Sequence, residues 1–295
     1  MYRDSIQMAE ELGFDSYWTY DHPLFTPECW ATLATLAVTS KTIRLGTVTT
    51  CISYRSPALL ARVAADVDRW SNGRVILGVG IGDSPDEFAA LGFPFPGVRE
   101  RQDTLDEAIQ VLVGLWGETP FTFRGQHFQV QEAMLWPGPV QQPRVPIMIA
   151  GGGERVTLRQ VAQYADMSNF GAHMWAGSAF GLDDVRRKFE ALRSHCVAIG
   201  RPYESVLRSY ASFPVVLAQT QDELQVKLDA IPEDAHAFYQ SSLIAGTPSE
   251  VVAHYQSLID AGIQYLMIAM WGPDLETIQL FAEEVIPALT QVKKA

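Results

Sequence analysis

The chain has 295 residues, 47% of them hydrophobic and 19% charged, so it is too apolar for a disordered chain and long enough to bury a large core. Its 22 basic and 34 acidic residues give a net charge of −12 with no basic cluster, which argues against a nucleic-acid binder, whose positive footprint must displace counterions. A negatively charged partner is then expected only at a local positive point, such as a helix N-terminus. Cys29, Cys51 and Cys196 are odd in number and widely spaced, so they read as small buried hydrophobes rather than as a disulfide framework or metal ligands. The first twelve residues carry Arg3, Asp4, Glu10 and Glu11, and read as neither a signal peptide nor a membrane span. A cytoplasmic enzyme with no membrane or nucleic-acid partner is expected.

In chain order, Ile6, Ala9 and Leu12 have helical spacing, with Gly13 as the stop. Ser16–Tyr20 is aromatic-rich and reads as a strand ending at Asp21-His22-Pro23. Trp30–Ser40 predicts a helix, Ile43–Thr49 a strand, Pro57–Trp70 a helix, and Val75–Val79 a buried strand closed by Gly80-Ile81-Gly82. Pro85–Val98 reads as a loop, and a long amphipathic helix runs from Arg99 to about Trp116. Phe121–Val130 alternates like a hairpin, and Pro137–Pro146 is extended. Strand Ile147–Ala150, helix Glu154–Tyr164, strand Met167–Phe170, helix Asp183–Ile199 and strand Leu207–Ala218 follow. Helices Gln221–Leu228 and Pro248–Ala261, strand Tyr265–Met270 and helix Leu275–Leu289 complete the chain.

The alternation predicts an α/β fold of parallel βα units, TIM (β/α)8 barrel-like, as one domain over 1–295 with an insertion near 119–146. The strand centres are Tyr17, Ile43, Val75, Ile147, Met167, Val215 and Leu266, seven where a closed barrel has eight. The first strand has no counterpart, and the N-terminus or a second subunit is expected to cover the gap.

Ligands of parallel βα units sit at the carboxyl ends of the strands. Asp21-His22, Thr47–Cys51, Gly80–Asp83 with Asp86, Gly151–Gly153, and Asn169-Phe170 all fall there. A plain strand-to-helix turn needs one glycine; Gly151-Gly152-Gly153 before a helix suits close backbone approach to a phosphate, with Arg155 or Arg159 adding charge. Histidine is the residue type suited to proton transfer near neutral pH, so His22 reads as a proton carrier, or it caps the turn before Pro23. Asp21 orients it or is a turn residue. His127, His173, His195, His236 and His254 share no ligand spacing, so no metal is expected. Trp18, Trp30, Trp70 and Trp116 read as core, while Trp136, Trp175 and Trp271 lie nearer strand ends or loops.

Several segments taken together resemble a known family. Glu10–Ser16, Asp21-His22, Ile43–Thr47, Arg55-Ser56-Pro57, Ser71–Arg74, Leu77–Gly80 and Ile149–Gly152 resemble, in order, the bacterial luciferase-like family of flavin and deazaflavin oxidoreductases. Glu154-Arg155 beside Thr157–Arg159, and His195-Cys196 ahead of Gly200-Arg201, are similar to the branch that uses the 8-hydroxy-5-deazaflavin coenzyme (F-420). The resemblance implies a TIM barrel with an insertion and hydride transfer between a small organic substrate and that coenzyme. It implies His22 as the proton acceptor, Asp21 as a coenzyme contact, and Val48-Thr49 as a bulge backing the ring, with a cis peptide. Ala150, Gly151, Gly152 and Gly153 match the phosphate-holding loop. Asp83 stands where sugar dehydrogenases of this branch carry a catalytic glutamate, and Asp86 where they carry a coenzyme-binding asparagine. Two other readings stay open: a two-component monooxygenase using reduced FMN and oxygen, and a non-catalytic or degenerate flavin-binding barrel. A homodimer, and a flavin or deazaflavin reductase as partner, are implied as well.

Overall fold

Fully buried apolar runs supply the strands that carry the rest of the chain: Val75–Gly80 is buried at every position, and Ile147–Ala150 nearly so. The computed structural model describes residues 2–172, 178–272 and 274–289; His173 and Trp175 lie outside the described residues. The chain divides into two compact units, residues up to Ala150 with Tyr164–Asp166, and Gly151–Gln163 with the residues from Met167 onward.

The first unit comprises α1 (Tyr2–Glu11), β1 (Ser16–Thr19), α2 (Cys29–Thr39), β2 (Arg44–Thr47), β3 (Thr50–Cys51), α3 (Pro57–Trp70) and β4 (Val75–Gly80). It continues with α4 (Pro85–Ala90), α5 (Val98–Leu115), β5 (Phe121–Arg124), β6 (Gln129–Ala133) and β7 (Ile147–Ala150). Its parallel strands run in the order β1-β2-β4-β7, with Tyr17 opposite Leu45, Leu45 opposite Val75, and Leu77 opposite Ile147. β3 pairs with the end of β4 (Thr50 opposite Val79). β5 and β6 form the separate antiparallel hairpin expected in the insertion.

Polar clamps tie this sheet to its helices. The Glu10 carboxylate at the end of α1 accepts from the N–H groups of Lys41 (2.9 Å), Thr42 (2.6 Å) and Ile43 (2.9 Å). Those donors outweigh the cost of desolvation and hold its pKa down at about 2. Arg74 donates to the carbonyls of Ala37 (2.8 Å) and Ser40 (3.2 Å), acceptors that the end of α2 leaves open, and to that of Ile43 (2.6 Å) just before β2. Buried Asp68 accepts from Val140 N, Gln141 N and Gln141 Nε2, which anchors the proline-rich segment.

The second unit comprises α6 (Thr157–Tyr164, whose last residue falls in the first unit), β8 (Met167–Gly171), α7 (Leu182–Ala198), β9 (Leu207–Leu217), α8 (Gln221–Asp229) and α9 (Glu233–Tyr239). β10 (Ile244–Gly246), α10 (Pro248–Asp260), β11 (Tyr265–Met270), α11 (Leu275–Leu280) and α12 (Ile286–Ala288) follow. β9 is its long central strand, parallel to β8 from Leu207, to β11 from Ser209, and to β10 from Val215.

The predicted elements are largely present, with several differences. The expected count of seven strands becomes nine parallel strands among the described residues. Ile43–Thr49, read as one strand, is divided into β2 and β3 by the turn at Val48-Thr49, and β10 is a three-residue strand in a segment assigned no element. Pro85–Val98 is not all loop, because Ser84 accepts from Glu87 N (3.3 Å) and caps α4; α9 is likewise additional. The helix expected from Glu154 begins at Thr157, after a turn over 154–156. The helix expected over Leu275–Leu289 is broken by a π-helical turn at Phe281–Val285. Trp70 is exposed rather than core, while all three cysteines are buried as expected.

Glu10 generates a pH prediction. Its carboxyl titrates lower when folded (about 2) than its ordinary 4.5, so its stabilising contribution is complete above pH 4.5 and is lost as pH falls toward 2. Urea denaturation of the native chain and Glu10→Gln at several pH values should show a gap at pH 7 that closes over that window.

Candidate active site

The carboxyl ends of β1 and β3 in the first unit are held together by one ion pair. Asp21 Oδ2 accepts from Arg55 Nη1 (2.6 Å) and from the N–H of Cys51 (2.8 Å), and Asp21 Oδ1 accepts from Arg55 Nη2 (2.9 Å). The Asp21 side chain has no solvent exposure, so in this arrangement it fixes backbone. Thr19 O also accepts from Val48 N (2.8 Å), which locks the end of β1 to the bulge after β2. Below it, Trp30 Nε1 donates to Thr50 Oγ1 (3.2 Å), Thr50 Oγ1 to Thr47 Oγ1 (3.0 Å), and Thr47 Oγ1 to Gly78 O (2.7 Å).

The peptide between Val48 and Thr49 is cis, as the resemblance implied. Both residues are half-buried, and a Cβ at Gly80 would stand 2.5 Å from Thr49 Oγ1, so glycine there gives the Thr49 side chain its room.

His22 follows Asp21 and keeps 36% of its side chain open. Its Nδ1 lies 2.8 Å from Oε2 of Glu87, a carboxylate only 1% exposed. Glu87 also accepts from Leu24 N (3.3 Å) and from the Tyr54 hydroxyl (3.3 Å). Glu87 was not singled out from the sequence; the expected carboxylates were Asp21, Asp83 and Asp86. Asp83 lies on the exposed loop before α4, where desolvation by the surrounding protein raises its pKa, while the charges of His22 and Arg101 pull the other way. Asp86 is exposed on the first turn of α4. Arg101, buried on α5, donates to the carbonyls of Gly82 and Pro96 (3.1 Å) and lies 3.9 Å over the Phe95 ring, pinning the loops on either side of α4.

In the second unit, Gly151 has φ +118° and donates its N–H to Asn169 O (2.8 Å). A Cβ at Gly153 would meet Thr157 Oγ1 at 2.9 Å, so that residue and Thr157 share a space only glycine leaves open. Arg155 and Arg159, the expected charges, are exposed. The cation that reaches the corner is Lys188 of α7, whose buried ammonium donates to Gly152 O (2.7 Å). Burial lowers its pKa, and Glu154 opposes that shift.

Asp21, Glu28 and Cys29 form a group whose ligand atoms lie within 4.8 Å of one another. The Arg55 guanidinium already serves all three, reaching Glu28 Oε1 at 3.3 Å and Cys29 Sγ at 3.9 Å besides Asp21. That group is an arginine site, not an open cage for a metal ion.

Residues 2–263 match the family described as luciferase-like monooxygenase, and the chain belongs to that family. The F420-dependent glucose-6-phosphate dehydrogenase of Amycolatopsis mediterranei is 30% identical, covering 97% of this chain and 94% of that protein. Among solved structures, the coenzyme F420-dependent tetrahydromethanopterin reductase from Methanopyrus kandleri matches with a TM-score of 0.80 at 20% identity, over 98% of this chain and 95% of the other. An F420-dependent secondary alcohol dehydrogenase, in complex with an F420-acetone adduct, matches at 0.81 and 22% identity, over 98% and 96%. The α/β, TIM-barrel-like fold expected from the sequence is the fold of this chain. Among the described residues, no helix is long and apolar enough to cross a membrane.

Asp21→Asn would leave the largely buried Arg55 guanidinium with only the half-exposed Glu28 carboxylate as a charge partner. We expect a loss of roughly 3 kcal/mol, read as a lower urea midpoint at unchanged slope. Stability within about 0.5 kcal/mol of the native chain would remove the clamp from the description of the site.

Proposed function

We propose that this chain is an oxidoreductase that moves a hydride between a small organic substrate and an F420-type deazaflavin, with His22 Nε2 carrying the substrate proton. The observation that carries the proposal is the solvent-open imidazole of His22, hydrogen-bonded on Nδ1 to buried Glu87, on a strand end whose Thr19 carbonyl accepts from Val48 N of the bulge. A relative 30% identical over almost the whole chain, named as F420-dependent, supports the same chemistry.

The residues present fit such a coenzyme. In the first unit, the half-buried bulge at Val48-Thr49 offers a backing for a planar ring, with Asp86 and Ala150 as further contacts and Asp21 acting through the backbone it holds. In the second unit, Gly151–Gly153 leave a cradle that a Cβ would fill, with the Lys188 ammonium behind it, which suits a phosphate. When bound, the deazaflavin supplies the carbon that accepts or returns the hydride. His22 Nε2 takes the hydroxyl proton as a substrate alcohol becomes a carbonyl, and returns it in the opposite direction. Asp83, on the loop before α4, would serve as a second proton carrier.

The same proposal takes the enzyme to be a cytoplasmic homodimer, with a flavin or deazaflavin reductase recycling the coenzyme. Val38 on α2 and Leu59 and Trp70 on α3 are exposed and offer an apolar face for a second copy.

Fluorescence titration with oxidised F420 and with FMN tests the cofactor. The deazaflavin should bind at micromolar concentration. His22→Ala should bind it within about threefold, while turnover of a panel of small alcohols falls by roughly 10²–10⁴. Oxygen uptake with reduced FMN, and no binding of the deazaflavin, would overturn the proposal; unchanged turnover in His22→Ala would return that residue to capping its turn.

A further inference from the structure

We infer that Glu87 is a positioning residue that fixes His22 with its proton on Nδ1 and so presents an unprotonated Nε2 to the substrate. The inference rests on His22 being the proton-transfer group proposed above. Glu87 lies 2.8 Å from Nδ1 through Oε2, with its side chain 1% exposed. Three groups from two segments converge on it: the His22 ring, Leu24 N at 3.3 Å, and the Tyr54 hydroxyl at 3.3 Å, the last two as donors. A backbone N–H can only donate, so Oε1 is an acceptor. Burial above all, with the Glu87 charge adding, pushes the Tyr54 phenol up, so that hydroxyl stays a donor.

The Leu24 N–H and the Tyr54 hydroxyl both donate to this carboxylate, and an ionised carboxylate only accepts. Nδ1 must therefore carry the hydrogen, and the neutral ring has its lone pair on Nε2. The carboxylate is also held in place: Ser84 caps α4 at Glu87 N, and Phe88, next on that helix, packs against Tyr54 (centroids 4.7 Å) and Phe95 (4.9 Å). The other charged and titratable groups around the imidazole are Asp83, with Arg101 behind it, the Asp21–Arg55 pair on the strand side, and Tyr54.

In the oxidising direction the substrate O–H breaks and its proton passes to Nε2. The C–H breaks with its electron pair leaving as hydride to the deazaflavin, and the C=O forms. The ring is then an imidazolium, and Glu87, still ionised, stabilises that charge through Nδ1–H. Its proton count does not change.

The test uses Glu87→Gln, Glu87→Asp and His22→Ala in the full chain. Glu87→Gln should lower kcat by roughly 10–100-fold with KM within about threefold. It should also move the acidic limb of kcat/KM to lower pH, because an imidazolium without its carboxylate loses its proton more readily. Glu87→Asp should recover part of kcat. Independently of turnover, ¹H–¹⁵N spectra of histidine-labelled protein should place the neutral His22 proton on Nδ1 in the native chain, and move it toward Nε2 in Glu87→Gln. A native spectrum with the proton on Nε2, or Glu87→Gln with kcat within twofold and an unmoved limb, overturns the inference. If Glu87→Gln does not fold, the native spectrum and Glu87→Asp decide it. Full turnover in His22→Ala would instead strike at the proposed role of His22, which keeps the two failures apart.

Discussion

A carboxylate with no solvent contact must be paired, and Asp21 meets that requirement with two hydrogen bonds to Arg55 and one to the N–H of Cys51. The geometry of the first unit's site depends on that requirement. Asp21 closes β1, and Cys51 ends β3, so one side chain determines how two strand ends approach. His22, the next residue, is thereby held at the rim, and the cis Val48–Thr49 bulge is held between β2 and β3. The cluster of Asp21, Glu28 and Cys29 around Arg55 is best understood in the same terms. It has the composition of a cation site because it houses a cation, and that cation is covalently part of the chain.

The overall charge of −12 and the proposed binding of a phosphate-bearing coenzyme are compatible because attraction at short range depends on local donors rather than on net charge. The Gly151–Gly153 corner supplies open backbone, and Lys188 supplies a buried ammonium whose proton is held more loosely than in water. In the first unit, by contrast, the guanidinium groups beside the site are occupied: Arg55 with carboxylates and Arg101 with backbone carbonyls. In the proposed reading His22 carries the proton there, with Glu87 holding its ring and Asp83 as a second carrier.

The parallel βα pattern was legible because buried strands such as Val75–Gly80 and Ile147–Ala150 are uninterrupted apolar runs, and because α3 begins at a proline and ends at Ser71-Asn72-Gly73. The short elements were not. β10 is three residues, and nothing in Ser242-Leu243-Ile244-Ala245-Gly246 separates it from a loop until β9 pairs with it. Asp21 and His22 stood out as polar residues at the end of an aromatic strand. Glu87 did not, since Ser84-Pro85-Asp86-Glu87 has the spacing of a capping box, in which the glutamate bonds locally. Only the backbone half of that box forms; the carboxylate turns inward to His22, Leu24 and Tyr54 instead. Lys188 was concealed in the same way, as the last of the run Arg186-Arg187-Lys188, in which the two arginines are exposed and it is buried. Both misses are long-range contacts, which periodicity and local spacing do not encode.

Choice of coenzyme decides the chemistry, because a ring that only exchanges hydride and a ring that activates oxygen make different demands on the same pocket. The most direct measurement is native mass spectrometry of the protein purified from a host that makes both F420 and FMN. A bound mass equal to the deazaflavin coenzyme is expected. A bound mass equal to FMN, with no deazaflavin, would contradict hydride transfer to F420 as the function of this chain.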